Sequence, residues 1–341
     1  MTELPGMDVA ALAGFLVDSG VTIDGELKVD LISGGRSNLT FKAWDDSSSW
    51  VVRRPPTSGL TPSAHDMARE WAVTRALEDS GVPVAKTVAF DAKGIVLGAP
   101  MTVVAYAAGR VVRSSGDLAE LTDSDVAANA RELVRVLARL HDVDFKAVGL
   151  ENFGRPDGFV QRQVATWARQ WDRVKTRELD DLNRLHTALQ EATPSGSEAS
   201  IVHGDYRVDN VILDSKDAGS VLAVVDWEMS TLGDPLTDVA LMCAYRQPIF
   251  DVVLGMSAAW TSDRYPSADE LAESYVQESG RQLQHWDFYT ALANFKLGVI
   301  AEGITHRAQT GAASGDGAER AAEATQDFIA AGLRAIRRIK I

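Results

Sequence analysis

The chain has 341 residues, of which 34 are basic and 48 acidic, so its formal net charge is −14; 45% of the residues are hydrophobic and 24% are charged. This composition is that of a folded domain protein and excludes disordered, collagen-like and membrane-embedded chains. The acidic balance disfavours broad electrostatic binding of nucleic acids or anionic membranes, so neither is expected as a partner.

Length and cysteine content narrow the class further. At roughly 100–200 residues per domain, the chain predicts two structural units. The single cysteine, Cys243, cannot form an internal disulfide, and the first residues lack the basic and apolar segments of a secretory signal. These features predict a cytoplasmic protein.

The first third of the sequence is typical of a small sheet with one inserted helix. After a short helical opening, strand-like segments are broken by Gly34-Gly35 and by a run of Asp and Ser residues. A helical pattern over 63–79 ends at Ser80-Gly81-Val82-Pro83. We therefore expect a β-rich lobe over 1–106, with strands at 28–33, 38–44, 49–53, 84–91 and 100–106.

From about residue 118 the apolar residues recur with a helical period. Leu133, Val136, Leu137 and Leu140 lie on one helix face. We expect a larger helical lobe over 107–341, interrupted by short strands at 201–202, 211–213 and 221–225. Helical patterns also cover 159–176, 179–191, 268–279, 285–309 and 317–338, with a glycine-rich hinge at 311–317 between the last two.

The residues with chemical potential lie in this β interruption. Asp205 follows an apolar strand, Asn210 comes five residues later, and Asp226 closes another strand. Amide and carboxylate oxygens suit Mg²⁺, and a further carboxylate can accept a proton from an attacking hydroxyl group. Each residue alone could equally satisfy a turn. The spacing from Asp205 to Asn210, however, equals that of the kinase loop H-R-D-x-x-x-x-N, so the combination predicts phosphoryl transfer.

His203-Gly204-Asp205 with Asn210 and Asp226 resembles the catalytic signature of the aminoglycoside phosphotransferase-like family of small-molecule kinases. The resemblance covers nearly the whole chain and implies an α+β fold with two protein-kinase-like lobes. It also implies that Asp205 is the catalytic carboxylate and that Asn210 and Asp226 are metal ligands. The implied cofactors are ATP, or GTP, and Mg²⁺, and the implied partner is a small-molecule hydroxyl acceptor bound by helices after residue 250.

A narrower resemblance concerns the acceptor. Residues 149–156 and the run Arg162-Gln163 with Trp167 resemble the kinase-like domain found beside acyl-CoA dehydrogenases in longer proteins. That branch implies a hydroxy acid or its thioester as the acceptor. In the family pattern Asp238 braces the catalytic loop, while Asp234 before Pro235 is typical of a helix N-cap.

The first lobe carries the residues expected to bind the nucleotide. A glycine-rich loop joins its first two strands, but no P-loop motif is present. Arg53 stands where the kinase pattern has lysine. Neighbouring residues of a strand point to opposite faces, so Arg54 could face the phosphates in place of Arg53. The assigned residues are Gly34, Gly35, Ser37 and Asn38 in the loop, Arg53 with its partner Glu70, and Val104, Ala105 and Tyr106 in a strand resembling the kinase hinge.

Several alternatives stay open at this point. The helices after residue 250 carry charges of both signs, so an aminoglycoside acceptor is also compatible with the sequence. The arginine at position 53 leaves open a non-catalytic nucleotide-binding module. A protein kinase is disfavoured, because no A-P-E segment follows Asp226. The oligomeric state is not defined by any pattern in the sequence.

Overall fold

The computed structural model of the chain describes residues 4–34, 38–57, 66–196, 198–311 and 317–338. The described residues form two compact units, one from Met1–Gly109 with Leu222–Glu228 and the other from Arg110–Val221 with Met229–Ile341. The segment Leu222–Glu228, which carries Asp226, belongs to the first unit.

An antiparallel sheet forms the body of the first unit. Its strands are β1 (Lys28–Gly34), β2 (Leu39–Trp44), β3 (Ser49–Arg54), β4 (Thr87–Asp91) and β5 (Met101–Ala105). They pair in the order β1-β2-β3-β5-β4, and every pairing is antiparallel. The five strands expected from the sequence are therefore confirmed, with ends that differ by up to about three residues.

Alternation along β3 separates its two arginines. Helix α1 (Val9–Asp18) packs on the face of the sheet that contains Val52. Arg54 shares this buried face, and its guanidinium donates to the carbonyl of Gly6 and, at 2.9 Å, to that of Leu97. Because strand neighbours point to opposite faces, Arg53 projects from the other side of the sheet.

Helix α2 (Met67–Leu77) follows β3 and supplies Glu70. Asp66 caps the helix by accepting a hydrogen bond from the N–H of Arg69 at 3.0 Å. The buried side chains recur every three to four residues, so Glu70 lies on the packed face of the helix between Met67 and Val73. The helix expected over 63–79 is confirmed within the described residues; 63–65 lie outside them.

The second unit is mainly helical. Its helices and the remaining short strands of the chain confirm the expected α+β class. In chain order these elements are β6 (Gly109–Arg110), α3 (Ser115–Ala119), α4 (Asp123–Asp142), α5 (Phe159–Val174), α6 (Asp180–Glu191), β7 (Ser200–Val202), β8 (Val211–Asp214), β9 (Val221–Val224), β10 (Thr231–Gly233), α7 (Pro235–Ala244), α8 (Phe250–Leu254), α9 (Ala268–Ser279), α10 (Trp286–Gln309) and α11 (Thr325–Ile336).

Helix α10 is the central element of this unit, because its own residues are buried on nearly all of its faces. It packs against α5, α6, α7 and α11. The helix expected over 317–338 is divided: Ala318–Ala324 form a 3₁₀ helix before α11 begins. Ala318, Ala321 and Ala324 are buried at intervals of three, which is the period of a 3₁₀ helix.

Two further findings complete the fold. Residues 312–316 of the expected hinge lie outside the described part of the chain. Among the helices that the structure describes, none has both the length and the apolar character needed to cross a lipid bilayer.

Candidate functional site

Arg53 joins two carboxylates in the first unit. Its Nη1 donates to Oε1 of Glu70 at 2.6 Å, and its Nη2 donates to Oδ1 of Asp226 at 3.2 Å. Burial lowers the pKa of Arg53, but the charges of Glu70 and Asp226 outweigh this effect and raise its pKa overall. Burial raises the pKa of Glu70, and repulsion from the Asp226 charge raises it further. The charge of Arg53 lowers this pKa, but the two raising effects are larger. The cluster contains two carboxylates, Glu70 and Asp226, and one guanidinium, so it has an excess of negative charge when all three groups are ionised.

The backbone at Asp226 has an unusual conformation. Asp226 follows β9 with a φ of 67°, in the left-handed region that non-glycine residues rarely adopt. The turn is fixed on both sides, since the N–H of Val224 donates to Pro83 at 2.8 Å and the indole of Trp227 donates to Val224 at 3.0 Å. Such strained residues cluster at ligand-binding sites. The Asp226 side chain is 31% exposed, against 10% for Glu70, so Asp226 is the more accessible carboxylate.

In the second unit, the loop after β7 is fixed by hydrogen bonds from its backbone N–H groups to a side-chain carboxylate. The N–H groups of His203 and Gly204 donate to the carboxylate of Asp238 at 2.6 and 2.8 Å. Gly204 has a φ of 84°, and a Cβ at this position would lie 2.7 Å from the carbonyl oxygen of Met229. Only glycine fits here, so the loop that precedes Asp205 has one well-defined path.

A buried chain of polar groups supports Asp238 from behind. His141 on α4 contacts Asp238 through Nε2 at 3.3 Å and the hydroxyl of Tyr275 on α9 through Nδ1 at 2.7 Å. Burial raises the pKa of Asp238, but the hydrogen bond and charge of His141 outweigh it, so the pKa lies below its ordinary value. Asp238 therefore braces the loop, as the family pattern implies. Asp234 caps α7, accepting from the N–H of Leu236 at 2.9 Å.

Both oxygens of the Asp205 carboxylate accept hydrogen bonds. The hydroxyl of Tyr245 donates to Oδ1, and the side-chain amide of Asn210 donates to Oδ2 at 3.0 Å. The same amide nitrogen also donates to the backbone carbonyl of Asp205 at 2.8 Å. These bonds fix the carboxylate and turn the amide oxygen of Asn210 away from it.

The electrostatic surroundings keep Asp205 ionised. Burial raises the pKa of this carboxyl, but Arg207, the Tyr245 hydrogen bond and Lys296 together lower it below its ordinary value. Burial and the Asp205 charge raise the pKa of Tyr245 well above its usual range, so its hydroxyl remains a donor. The Arg207 guanidinium lies 5.3 Å from the centre of the Tyr245 ring and donates to Asp209 at 2.6 Å.

The remaining expected nucleotide residues lie in the first unit. Val104 is partly exposed, and the N–H groups of Ala105 and Tyr106 donate to Lys86 at 2.7 Å and to Ser49 at 3.0 Å. These two N–H groups are thus engaged within the unit. Gly34 ends β1 and Asn38 is buried, while Gly35 and Ser37 lie outside the described residues.

Sequence reasoning missed three side chains that support Asp205 or the loop before it. Tyr245 and His141 carry no recognisable motif and are separated along the chain from the groups they contact. Lys296 has one signal, because it is a lone cation within the apolar run of α10. Its ammonium donates to the carbonyl of Gly204 at 2.8 Å.

The α+β fold, the Asp205–Asn210 loop and the Arg53–Glu70–Asp226 cluster are the features that the resemblance to phosphotransferases predicts. The model of the phosphotransferase enzyme family matches residues 28–292, so the chain belongs to this family, as its motifs indicated.

Curated relatives carry the names expected for the narrower branch. Acyl-CoA dehydrogenase family member 10 of Mus musculus is 32% identical over 313 residues, covering 91% of this chain and 29% of the relative. Family member 11 of Gallus gallus is 32% identical over 322 residues, covering 92% of this chain and 41% of the relative. The chain thus spans less than half the length of these relatives.

Solved structures agree with the fold. A Ralstonia eutropha protein provisionally described as an aminoglycoside phosphotransferase is 30% identical, with a TM-score of 0.83 over 98% of this chain and 99% of that one. The aminoglycoside phosphotransferase APH(4)-Ia, solved with AMP-PNP and hygromycin B, is 15% identical with a TM-score of 0.59 over 95% of this chain and 98% of that one. The second similarity concerns the fold alone.

Proposed function

We propose that the protein is an ATP- and Mg²⁺-dependent phosphotransferase that phosphorylates a hydroxyl group of a small molecule, with GTP as the alternative nucleotide. The observation that carries this proposal is the state of Asp205. Its carboxylate is partly buried, held ionised by its surroundings and fixed through both oxygens by Tyr245 and Asn210. Family membership supports the same reaction class.

Asp205 would orient the acceptor hydroxyl and take its proton as the phosphoryl group is transferred. Phosphoryl transfer needs mainly positioning and charge stabilisation, and a positioned base typically contributes 10²–10⁴-fold to the rate. The brace from Asp238 to His203 and Gly204 supports this role, because it fixes the backbone on which the carboxylate is mounted.

Asn210 and Asp226 would hold the metal. Their amide and carboxylate oxygens are the hard donors that Mg²⁺ prefers. The donor set fits, because the Asn210 amide nitrogen is bound to Asp205 and the Asp226 carboxylate is the more accessible one in a cluster with excess negative charge. When bound, Mg²⁺ would neutralise charge on the phosphates.

Arg53 would bind the nucleotide phosphates, and Glu70 would hold the guanidinium in place. Arginine presents a fork of donors that suits phosphate oxygens, so it can replace the usual lysine. Val104 would line the adenine pocket, and the N–H groups of Ala105 and Tyr106 would have to exchange their present partners for adenine. The loop residues Gly34, Gly35, Ser37 and Asn38 keep their predicted role at the phosphates.

For the acceptor we favour a hydroxy acid or its thioester. The names of the curated relatives support this choice, since acyl-CoA dehydrogenases act on acyl groups. The Lys296 ammonium near Asp205 supports it too, because Arg207 is paired with Asp205 and Asp209 whereas Lys296 has no ion pair among the described residues, and an unpaired cation disfavours a polycationic aminoglycoside. The aminoglycoside alternative rests on the description of the Ralstonia protein.

The test compares Asp205→Asn with Asp217→Asn, which makes the same chemical change on an exposed turn of the same unit. We expect Asp205→Asn to lower turnover by about 10²–10⁴-fold with nucleotide affinity nearly unchanged, and Asp217→Asn to behave as the parent protein. ADP release with a panel of hydroxylated acceptors measures turnover, and calorimetry measures nucleotide binding. Parent-like turnover in Asp205→Asn would refute the assigned role. Tight nucleotide binding without ADP release across the whole panel would favour the non-catalytic module.

A further inference from the structure

Lys296 is a charged side chain in an otherwise apolar setting. It lies on α10, is partly buried, and its ammonium sits 5.4 Å from the centre of the Trp167 ring. Among the described residues, it donates to the neutral carbonyl of Gly204 and faces this ring, with no direct carboxylate partner. Burial lowers the pKa of Lys296, against the charges of Asp205 and Asp238. Holding a cation in this way is costly, which points to a ligand-binding role.

A small cavity lies beside this ammonium within the second unit. Its volume is about 60 Å³, roughly that of two water-sized groups. Most of its exposed wall is apolar, from Phe159, Met229, Leu292 and Ala293, and Lys296 and Gly204 border it. The polar lining residues are Gln163, Thr231, Thr237 and Asp238, and the Asp238 carboxylate already accepts hydrogen bonds from the N–H groups of His203 and Gly204. Short hydrocarbon groups fit such a lining better than the polar rings of a sugar.

The chemistry of lysine narrows the ligand further. An ammonium has three donors and no acceptor, and Gly204 uses one of these donors. Since Gly204 directly precedes Asp205, a small molecule whose hydroxyl meets the Asp205 carboxylate would bring its neighbouring groups toward the same ammonium. Acceptor oxygens would be attracted there, whereas amino groups would be repelled.

Building on the proposed function, we propose that Lys296 binds the acyl oxygen of the hydroxylated acceptor, with the adjoining carbon chain in the cavity beside it. This makes Lys296 a specificity-determining residue for acyl-bearing acceptors. The acyl oxygen belongs either to a free carboxylate or to a thioester carbonyl. The carboxylate and the thioester carbonyl both offer an acceptor oxygen to the ammonium, but only the carboxylate is charged.

A role in bracing the loop alone would give a different pattern. Lys296 would then act only through the Gly204 carbonyl, and its loss would disturb the Asp205 loop equally for every acceptor. An acyl-binding role predicts that the loss depends on the acceptor. The ratio of kcat/KM values between matched acceptors therefore separates the two roles.

The experiment uses the full chain with Lys296→Met, Lys296→Arg and the control Lys146→Met. Lys146 is exposed and also lies over an aromatic ring, Phe145, at 5.9 Å, so the control makes the same change away from the loop. The acceptors are β-hydroxybutyrate, γ-hydroxybutyrate, their methyl thioesters and the corresponding diols. Folding is checked with a thiol reagent at Cys243, whose pKa burial raises to about 12, so it stays unreactive while the unit is folded.

We expect Lys296→Met to lower kcat/KM for the free acids by about 10- to 100-fold and for the thioesters by about 3- to 10-fold. The diols should change by less than about twofold, Lys296→Arg should recover most of the loss, and Lys146→Met should match the parent protein. A larger loss on the acids identifies the carboxylate as the source, and equal losses on acids and thioesters identify the carbonyl.

Two results would overturn the inference, and they can be told apart. An equal loss on acids, thioesters and diols, with Cys243 still protected, would leave Lys296 as a loop brace and would not affect the proposed function. No phosphorylation of any of these acceptors or of an aminoglycoside by the parent protein would refute the proposed function itself, and the inference with it.

Discussion

The two units surround their key aspartates with different sets of groups. In the first unit, Asp226 has a strained backbone and contacts a charged group, the guanidinium of Arg53, which it shares with Glu70. In the second unit, the Asp205 carboxylate accepts hydrogen bonds from a hydroxyl and an amide and also forms an ion pair with Arg207 at 3.4 Å. One carboxylate belongs to a cluster with excess negative charge, and the other lies in a network of donors.

This difference separates two tasks that one reaction requires. A cluster with excess negative charge is stabilised when cations arrive, which suits a site that binds a metal with phosphates. A carboxylate that accepts hydrogen bonds at both oxygens and has a lowered pKa stays ionised and fixed, which suits the orientation of an acceptor hydroxyl group. Substitutions in the Arg53–Glu70–Asp226 cluster should therefore change nucleotide binding, and substitutions of Asp205 and its donor Tyr245 should change turnover.

The largest effect we expect in the first unit comes from Asp226→Ala. Loss of a metal ligand should reduce the Mg²⁺-dependent part of nucleotide affinity by more than about 100-fold, since even indirect partners of a metal ligand cost 10- to 100-fold. Asp226→Asn is the matched variant, because asparagine tolerates the left-handed backbone and keeps one oxygen donor, so its loss should be smaller. Calorimetry with a nucleotide analogue, with and without Mg²⁺, measures both. An unchanged Mg²⁺ dependence in Asp226→Ala would remove Asp226 from the metal site.

The paired arginines of β3 give the next largest effect. Arg53→Met should weaken nucleotide binding by about 10- to 100-fold, because it removes a charged hydrogen-bonding partner of the phosphates. Arg54→Met should instead lower the thermal midpoint with nucleotide affinity nearly unchanged, since Arg54 ties Gly6 and Leu97 to the sheet. Thermal unfolding and calorimetry on both variants decide between them. The reverse pattern would assign the phosphates to Arg54.

The smallest effect concerns the donor network of the second unit. Tyr245→Phe removes the hydroxyl that donates to Asp205, and the loss of one hydrogen bond to a charged group should lower kcat by about tenfold. Nucleotide affinity should stay within about twofold of the parent value. Steady-state kinetics and calorimetry measure the two quantities. If Tyr245→Phe weakened nucleotide binding as strongly as Arg53→Met, the division of tasks between the units would be wrong.

Local sequence patterns predicted most of the fold. The first three strands end at glycine, before an Asp-Ser run or before proline, and α4 has a clear apolar face, so their positions could be predicted closely. Short elements such as α3 and β10 were missed, because five or three residues contain too little periodicity. The pattern over 317–338 does not distinguish the 3₁₀ helix before α11 from α-helix, since alanine at intervals of three is compatible with both.

The candidate site likewise contains residues that local sequence patterns predict and residues that only tertiary packing places there. Asp205, Asn210 and Asp226 could be proposed because their spacing is local, and Arg53 with Glu70 because a strand and the following helix carry them. Tyr245 and Lys296 reach the loop only through tertiary packing, 40 residues from Asp205 and 92 from Gly204 along the chain, and no local pattern encodes such contacts. The choice between Arg53 and Arg54 likewise needed the register of β3 with its neighbours.

The most direct measurement of the central claim follows the phosphoryl group itself. The protein is incubated with Mg²⁺, a hydroxy acid and ATP whose terminal phosphate carries heavy oxygen isotopes. Mass spectrometry then measures the masses of the products. We expect a phosphoester that holds the labelled phosphoryl oxygens and the acceptor's own bridging oxygen, and almost none of it with Asp205→Asn. Label found only in inorganic phosphate, or equal product from the Asp205→Asn variant, would contradict phosphoryl transfer by this loop.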